Sequence, residues 1–251
     1  LLAAVRDLAG GQGRSSVLVE IRRPLGSDRT TWPGTAFAAA RGLTPRLTSV
    51  RRDLALPVDA RRADELLRAA RASARGYRVH GWAGAASPGD RERLAPLLAR
   101  MSTDAPLGEL DYSPEVWDAG RVAEQDAELA AVGRSSWTAV AVVPDGAWAG
   151  FTQLTWSRHE PQRLHQWDTL VLREHRGRRL GLLLKLEALR LATADVPGAT
   201  VCSTWNAEQN TPMVAVNEAM GYRPVELLEE WQARFDELVV PPVTASSGAR
   251  G

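Results

Sequence analysis

The sequence predicts an α/β fold, and three observations carry that expectation. With 251 residues and 44% apolar content, the chain can build a core for one large domain or two small ones. Short β-branched and apolar runs, such as SVLVEIR at 16–22, alternate with longer stretches of helical spacing. The stretch from Asp168 to Gly181, DTLVLREHRGRRLG, joins the two directly: a strand, a turn of arginine and glycine, then a helix.

That stretch organises the reading. Thr169, Leu170, Val171 and Leu172 form the strand. Leu182, Leu183, Leu186 and Leu189, continued by Ala192, give one apolar face to a helix from Gly181 to about Asp195. The first N–H groups of a helix lack partners and carry the positive end of its dipole, which suits a phosphate. Gly177 and Gly181 have no Cβ, so backbone can approach a ligand closely there.

The other elements follow in order. Leu1 to Leu8 is a short helix closed by Gly10 and Gly11, Ser16 to Arg22 a strand, Gly34 to Arg41 a helix stopped by Gly42, and Thr44 to Leu56 a strand. Val58 to Arg75 is helical and Tyr77 to Ala83 a strand. Asp90 to Met101 is a helix, and Ser113 to Val132 another, with Ser113 as N-cap and Pro114 at the first helical position. Trp137 to Val143 and Trp148 to Trp156 flank Pro144-Asp145-Gly146 as a hairpin. Leu164 to Arg173 is the central strand. Ala199 to Trp205 is a strand, Thr211 to Tyr222 a helix ending at Gly221, and Tyr222 to Phe235 supplies the last strand or strands. From Val243 the chain is low-complexity and expected to be disordered.

Composition narrows the function classes. Net charge is +1, so no global field draws the chain to nucleic acid or membrane. Lysine occurs once, at Lys185, so 30 of the 31 basic residues are arginine, a pattern of GC-rich coding. Cys202 is the sole cysteine, which excludes an intrachain disulfide and fits a reducing compartment. No signal peptide and no apolar run of about 18 residues is present, so a cytoplasmic location is expected. The chain does not begin with Met, which fits a processed or truncated chain. No metal-ligand spacing occurs.

The turn Arg176-Gly177-Arg178-Arg179-Leu180-Gly181 resembles the pyrophosphate loop of the GNAT superfamily of N-acetyltransferases, Gln/Arg-x-x-Gly-x-Gly/Ala, with Arg179 where glycine is usual. The block from Asn210 through Met213 to Gly221-Tyr222 resembles the family's next characteristic block, in its order and spacing. The order helix, strand, helix ending AARGL, strand in Leu1 to Pro57 repeats that of Leu182 to Phe235, where the helix ends EAMGY. The resemblance is to an actinobacterial-type tandem member whose N-terminal copy is truncated and degenerate. It implies a mixed, mostly antiparallel central sheet flanked by helices. It also implies a partial unit at 1–57, a linker helix at 58–76, a catalytic domain at 77–240 and a flexible tail at 241–251. The first copy has no Arg-x-x-Gly-x-Gly loop and is not expected to bind coenzyme A.

What the resemblance implies about chemistry can be set on residues. Acetyl-CoA is the acyl donor, held by Arg176, Gly177, Arg178, Arg179, Leu180, Gly181 and Leu182. The N–H groups of Thr169, Leu170 and Val171 on a splayed strand stabilise the carbonyl oxygen, a contribution of about 3 kcal/mol per preorganised donor. His165 stands where family members place a base, eleven residues before the loop, and imidazole suits that role near neutral pH. Asp168 is the other candidate; a regular strand turns it to the opposite face, and a bulge would bring it back. Asn206 and Asn210 either hydrogen-bond the pantetheine arm or serve their own turns. Asn217 stands where the family commonly has a tyrosine acid, and asparagine does not donate a proton usefully. Trp156, Trp167 and Trp205 line an acceptor pocket or pack a core.

The expectation is an N-acetyltransferase acting on a small-molecule or peptide amine by direct attack, as monomer or homodimer, with no nucleic-acid or membrane partner. The alternative is a non-catalytic acyl-CoA-binding or regulatory module. A nucleic-acid reading of the arginine turn lacks a stacking pattern and a second basic patch.

Overall fold

The computed structural model describes residues 2–104, 108–110 and 113–239. The elements run α1 (Leu2–Gly10), β1 (Ser16–Pro24), α2 (Pro33–Ala39), β2 (Thr44–Ala55), α3 (Ala60–Ser73), β3 (Arg78–Ala83), α4 (Pro88–Asp104) and α5 (Ala119–Ala131). They continue β4 (Arg134–Val142), β5 (Trp148–Ser157), β6 (Arg163–Val171), a 3-10 turn (Arg173–His175), α6 (Leu180–Asp195), β7 (Val201–Ala207), α7 (Thr211–Met220) and β8 (Arg223–Arg234). The fold is α/β with a mixed, mostly antiparallel sheet flanked by helices, and the element positions read from the sequence are mostly recovered to within a few residues.

The described residues divide into a smaller unit, 2–48, 108–110 and 227–239, and a larger one, 49–104 and 113–226. In the smaller unit Ile21, Ala38, Leu43, Trp231 and Ala233 form the core. The buried carboxylate of Glu229 accepts from Arg23 at 3.0 Å and from the Trp231 indole at 3.0 Å.

In the larger unit the strands lie in the order β2-β7-β6-β5-β4-β3. Every neighbouring pair is antiparallel except β6 and β7, which are parallel. Both faces of this sheet are covered, so β4 is buried from Ser136 to Val142 instead of alternating with polar positions. Ala139, Ala141, Leu154 and Leu164 pack on one face against the leucines of α6 and against Leu66 and Ala70 of α3. Val140, Val142, Phe151 and Leu170 pack on the other against Leu94, Leu97 and Leu98 of α4 and Val122 of α5.

Two helix boundaries differ from the sequence reading. α4 begins at Pro88 because Ser87 Oγ accepts the Asp90 N–H at 3.3 Å and donates to the Asp90 carboxylate at 2.7 Å. α5 does not begin at Ser113: Asp118 is its N-cap, accepting from Arg121 N–H at 2.8 Å, and 113–118 is irregular. Glu115 draws that segment in, accepting from the Trp117 indole and from Arg121, both at 2.8 Å. The tail at 241–251 lies outside the described residues. Among the described residues no helix is long and apolar enough to cross a membrane, and no group of three or more potential metal ligands occurs.

Candidate active site

The site is built where β6 and β7 part. Their parallel pairing runs from Arg163↔Val201 to Gln166↔Thr204 and stops, leaving 167–171 of β6 and 205–207 of β7 without partners in each other. A bulge causes the divergence. On β5, Leu154 pairs with Gln166 and Thr152 with Thr169, so Trp167 and Asp168 together oppose Gln153. Buried side chains hold the bulge in place. Gln166 donates to Thr152 Oγ1 at 2.9 Å and to the Gln153 carbonyl at 2.8 Å; Thr152 Oγ1 donates to the Asp168 carbonyl at 3.0 Å.

The bulge also sets which backbone donors meet the gap. Leu172 N–H donates back to Ala149 of β5 at 2.9 Å. Because N–H directions alternate along a strand, those of Val171 and Thr169 point to the β7 side, while that of Leu170 is committed to β5. Leu170 contributes its side chain to the core beneath α4.

The arginine turn is braced. Arg176 donates to the Val171 carbonyl at 3.0 Å and to Asp104 at 2.9 Å; Asp104 also accepts from Arg100 at 2.8 Å. His175 Nδ1 is 2.9 Å from the Tyr77 hydroxyl, and the Arg178 guanidinium lies over the Tyr77 ring, 5.7 Å from its centroid. Arg173 and Arg179 are exposed. The four arginines therefore divide: Arg176 holds structure, and Arg173, Arg178 and Arg179 keep charge at the surface.

Gly177 has φ 80°, and Arg179 has φ 54°, the one non-glycine residue with positive φ among those described. The backbone thus keeps the left-handed geometry at the position where the loop pattern has glycine, at a cost of about 1–2 kcal/mol. α6 begins at the next residue, and its first internal bond is Leu183 N–H to the Arg179 carbonyl at 3.0 Å. The N–H groups of Leu180, Gly181 and Leu182 precede that bond and have no intrahelical partner. A Cβ on Gly181 would lie 3.9 Å and 4.0 Å from methyls of Thr169 and Val171, so the helix start sits beside the end of β6 that β7 has left.

The two asparagines of the second block behave differently. Asn210 caps α7, accepting from Met213 N–H at 3.4 Å. Asn206 lies on β7 past the last parallel pair, and its Oδ1 accepts from Nδ2 of the fully buried Asn217. Asn217 Oδ1 accepts from Lys185 Nζ of α6 at 2.8 Å.

His165 and Asp168 lie at different stations of β6. His165 pairs with Ser203 inside the parallel stretch, with Nε2 3.0 Å from Glu160. Burial holds its pKa below the usual imidazole value, opposed by Glu160. Asp168 sits in the bulge, at the point where the strands part. Burial, and then the charge of Glu115, push its carboxyl above the ordinary carboxylate value. Glu115 belongs to the segment leading into α5. The pairs Thr155↔His165 and Phe151↔Leu170 show the bulge restoring His165 and Leu170 to one face.

Trp156 donates its indole N–H to the Pro161 carbonyl at 3.0 Å and packs against the α6-side core. Trp167 lies under Arg134, 5.9 Å from centroid to guanidinium. Trp205 lies on β7 beyond its last pair with β6, opposite Arg51 of β2. Cys202 is buried, its thiol pushed up to about 11 by burial. Sequence reasoning missed Asp104, Tyr77, Glu115 and Lys185. Lys185 alone left a signal: it falls inside the stripe formed by Leu182, Leu186 and Leu189.

Comparison with known proteins agrees with this geometry. Residues 106–222 match the sequence pattern of the acetyltransferase (GNAT) family. A tandem GNAT protein from the clavulanic acid biosynthesis pathway, solved without acetyl-CoA, superposes with TM-score 0.69 at 28% identity, over 92% of this chain and 68% of its own. A GCN5-related N-acetyltransferase from Sphaerobacter thermophilus has TM-score 0.57 at 15% identity, over 88% of this chain and 61% of its own. A second, from Kribbella flavida, has TM-score 0.53 at 15% identity, over 95% and 77%. At that identity the last two speak to fold alone. No curated protein matches. The parting of β6 from β7, the turn into α6, the sequence match and the tandem relative converge: the fold of this chain is GNAT-like, and its residues 106–222 match the acetyltransferase (GNAT) family.

Proposed function

We propose that this chain moves an acetyl group from acetyl-CoA to an amine. One observation carries the proposal: the gap between β6 and β7 ends beside the unpaired N–H groups of Leu180, Gly181 and Leu182, with Arg173, Arg178 and Arg179 exposed next to it. Those groups would hold the phosphates, by dipole, hydrogen bond and charge. Acetyl-CoA supplies the activated acyl group as a thioester. The N–H groups of Thr169 and Val171 would donate to oxygens lying in the gap, and one such donor is worth about 10²–10³ in rate. Asp168 accepts the proton of the incoming ammonium, since it lies where the gap opens and its raised pKa makes it the stronger base among carboxylates. His165 is the alternative, with Glu160 orienting its ring.

The acceptor is a small-molecule or peptide amine, and no nucleic-acid or membrane partner is needed. The tandem GNAT relative comes from a biosynthetic pathway, so small-molecule amines lead the acceptor panel. Free thiol released from acetyl-CoA, followed across small amines, polyamines, peptide N-termini and lysine peptides, tests the proposal. Acceptor-dependent release supports it. The second reading, an acyl-CoA-binding module without turnover, is favoured by Asn217 in the position of the family's tyrosine. Tight binding with no release for any acceptor would establish it.

A further inference from the structure

Lys185 is buried, 1% exposed, between α6, α7 and β7. A lysine in a core is costly unless its charge is used or relieved. Among the described residues its ammonium has one hydrogen-bond acceptor, Asn217 Oδ1 at 2.8 Å, and it lies over the Tyr222 ring, 5.5 Å from the centroid. An ammonium only donates. Its contact therefore fixes the Asn217 amide with oxygen toward Lys185 and nitrogen toward Asn206. That nitrogen in turn fixes Asn206 with oxygen inward, so the Asn206 Nδ2 group is left as a donor. It has no partner among the described residues, and Asn206 is half-buried on β7 just beyond the last parallel pair. A cation in the core is thereby connected through two oriented amides to a donor beside the gap.

We infer that Lys185 is a positioning residue that turns the Asn206 amide donor toward the leaving sulfur of the acyl donor and lends it positive charge through Asn217. The inference rests on the acyl-CoA reading of the gap. When the carbon–sulfur bond breaks, its electron pair goes to sulfur, and a charge-assisted donor stabilises the resulting thiolate without transferring a proton. This accounts for an asparagine at Asn217: the position transmits a charge instead of supplying an acid. The groups facing Lys185 do not compete. From β7 the Cys202 thiol is pushed up to about 11 by burial, and the Tyr222 hydroxyl, which donates to Cys202 Sγ at 3.1 Å, is pushed well above its usual value. The residues of α3 that join this core, Leu66 and Ala70, are apolar. Asp53 of β2 is paired with Arg51 and Arg163. Lys185 itself, lowered to about 8 by burial, is charged at neutral pH.

The test uses free coenzyme A, whose thiol reports thiolate stabilisation without an acceptor. The protein is saturated with coenzyme A, and the ultraviolet absorbance of the thiolate is followed against pH, with acetyl-CoA as the thiol-free control. The parent should hold about tenfold more thiolate at neutral pH than Lys185→Met or Asn206→Ala, while both variants bind acetyl-CoA within about threefold of the parent. A role confined to packing would leave thiol ionisation unmoved. Equal ionisation in parent and both variants overturns the inference and leaves the acyl-CoA reading standing. Loss in Asn206→Ala but not in Lys185→Met also overturns it, since Asn206 would then act unaided. No binding of coenzyme A by the parent overturns both. If Lys185→Met fails to fold, Asn206→Ala, altered at a half-buried strand end, decides by the same readout together with Asn217→Leu.

Discussion

Asp104 and Arg176, at the end of α4 and in the turn before α6, pair at 2.9 Å, and the side chain of Asp104 is 4% exposed. The pair ties a helix end to the turn that presents the N-terminus of α6. Asp104→Ala should cost about 1–2 kcal/mol in stability, because two guanidinium groups lose their shared acceptor at a mostly buried position. It should also weaken acetyl-CoA binding severalfold by loosening the turn. Urea unfolding and calorimetry check the two effects separately, and unchanged affinity would show that the turn keeps its shape without the clamp.

Arg179 carries a left-handed backbone that glycine would adopt without strain. Arg179→Gly should raise stability by about 0.5–1 kcal/mol and at the same time weaken acetyl-CoA binding, most at low salt, because an exposed cation beside the phosphates is lost. A variant that gains stability with no change in affinity would remove Arg179 from the site.

Asp168 and His165 make opposite predictions for the rate profile. The base must be unprotonated, so activity rises with pH through its pKa. With Asp168 as base, that rise falls above the ordinary carboxylate range, since burial and Glu115 push the carboxyl up. Asp168→Asn should then lower turnover by about 10²–10⁴ and abolish the limb, while His165→Ala costs less than about tenfold. With an acceptor in hand, the reverse pattern, and a limb set by an imidazole held low by burial, would move the role to His165.

Lys185 gives a stability signature of its own. Burial lowers its pKa from the ordinary lysine value to about 8. Between about pH 8 and that ordinary value, the folded chain binds fewer protons at this site than the unfolded chain, so stability rises with pH there. Below about pH 8 the destabilisation is fully present, on the order of 3 kcal/mol. Relative to the parent, Lys185→Met should be most favourable at pH 7 and lose that advantage by about 3 kcal/mol toward pH 10.5. A difference in unfolding free energy that does not vary with pH would mean Lys185 titrates normally.

The strand, arginine turn and helix at 168–195 could be read directly, because leucine spacing and the two glycines are local signals. The parting of β6 from β7 could not. It depends on Gln166 reaching Thr152 across the sheet, and sequence shows neither register nor bulge. Asp104 braces a turn 72 residues away, with nothing near it in sequence to say so. Ser113 and Pro114 carry a good helix-start pattern, but Asp118 caps α5 while Glu115 engages Trp117 and Arg121. Asn206 and Asn210 look alike in the chain and part in the fold, one facing Asn217 and the other capping α7. Lys185 was visible as a lysine in a leucine stripe, yet its partner lies on another helix.

The central claim is that the gap between β6 and β7, closed by the N-terminus of α6, binds acetyl-CoA. Titration calorimetry of acetyl-CoA into the parent chain and Gly181→Asp tests it most directly. The substitution is tolerable for folding, because a Cβ at Gly181 meets only methyls of Thr169 and Val171 at 3.9 Å and 4.0 Å. It places bulk and negative charge where the phosphates would sit, against the favourable end of the helix dipole. The account predicts one site per chain in the parent and at least about tenfold weaker binding in a folded Gly181→Asp variant. Equal affinity in the two proteins, or no binding by the parent, would contradict it.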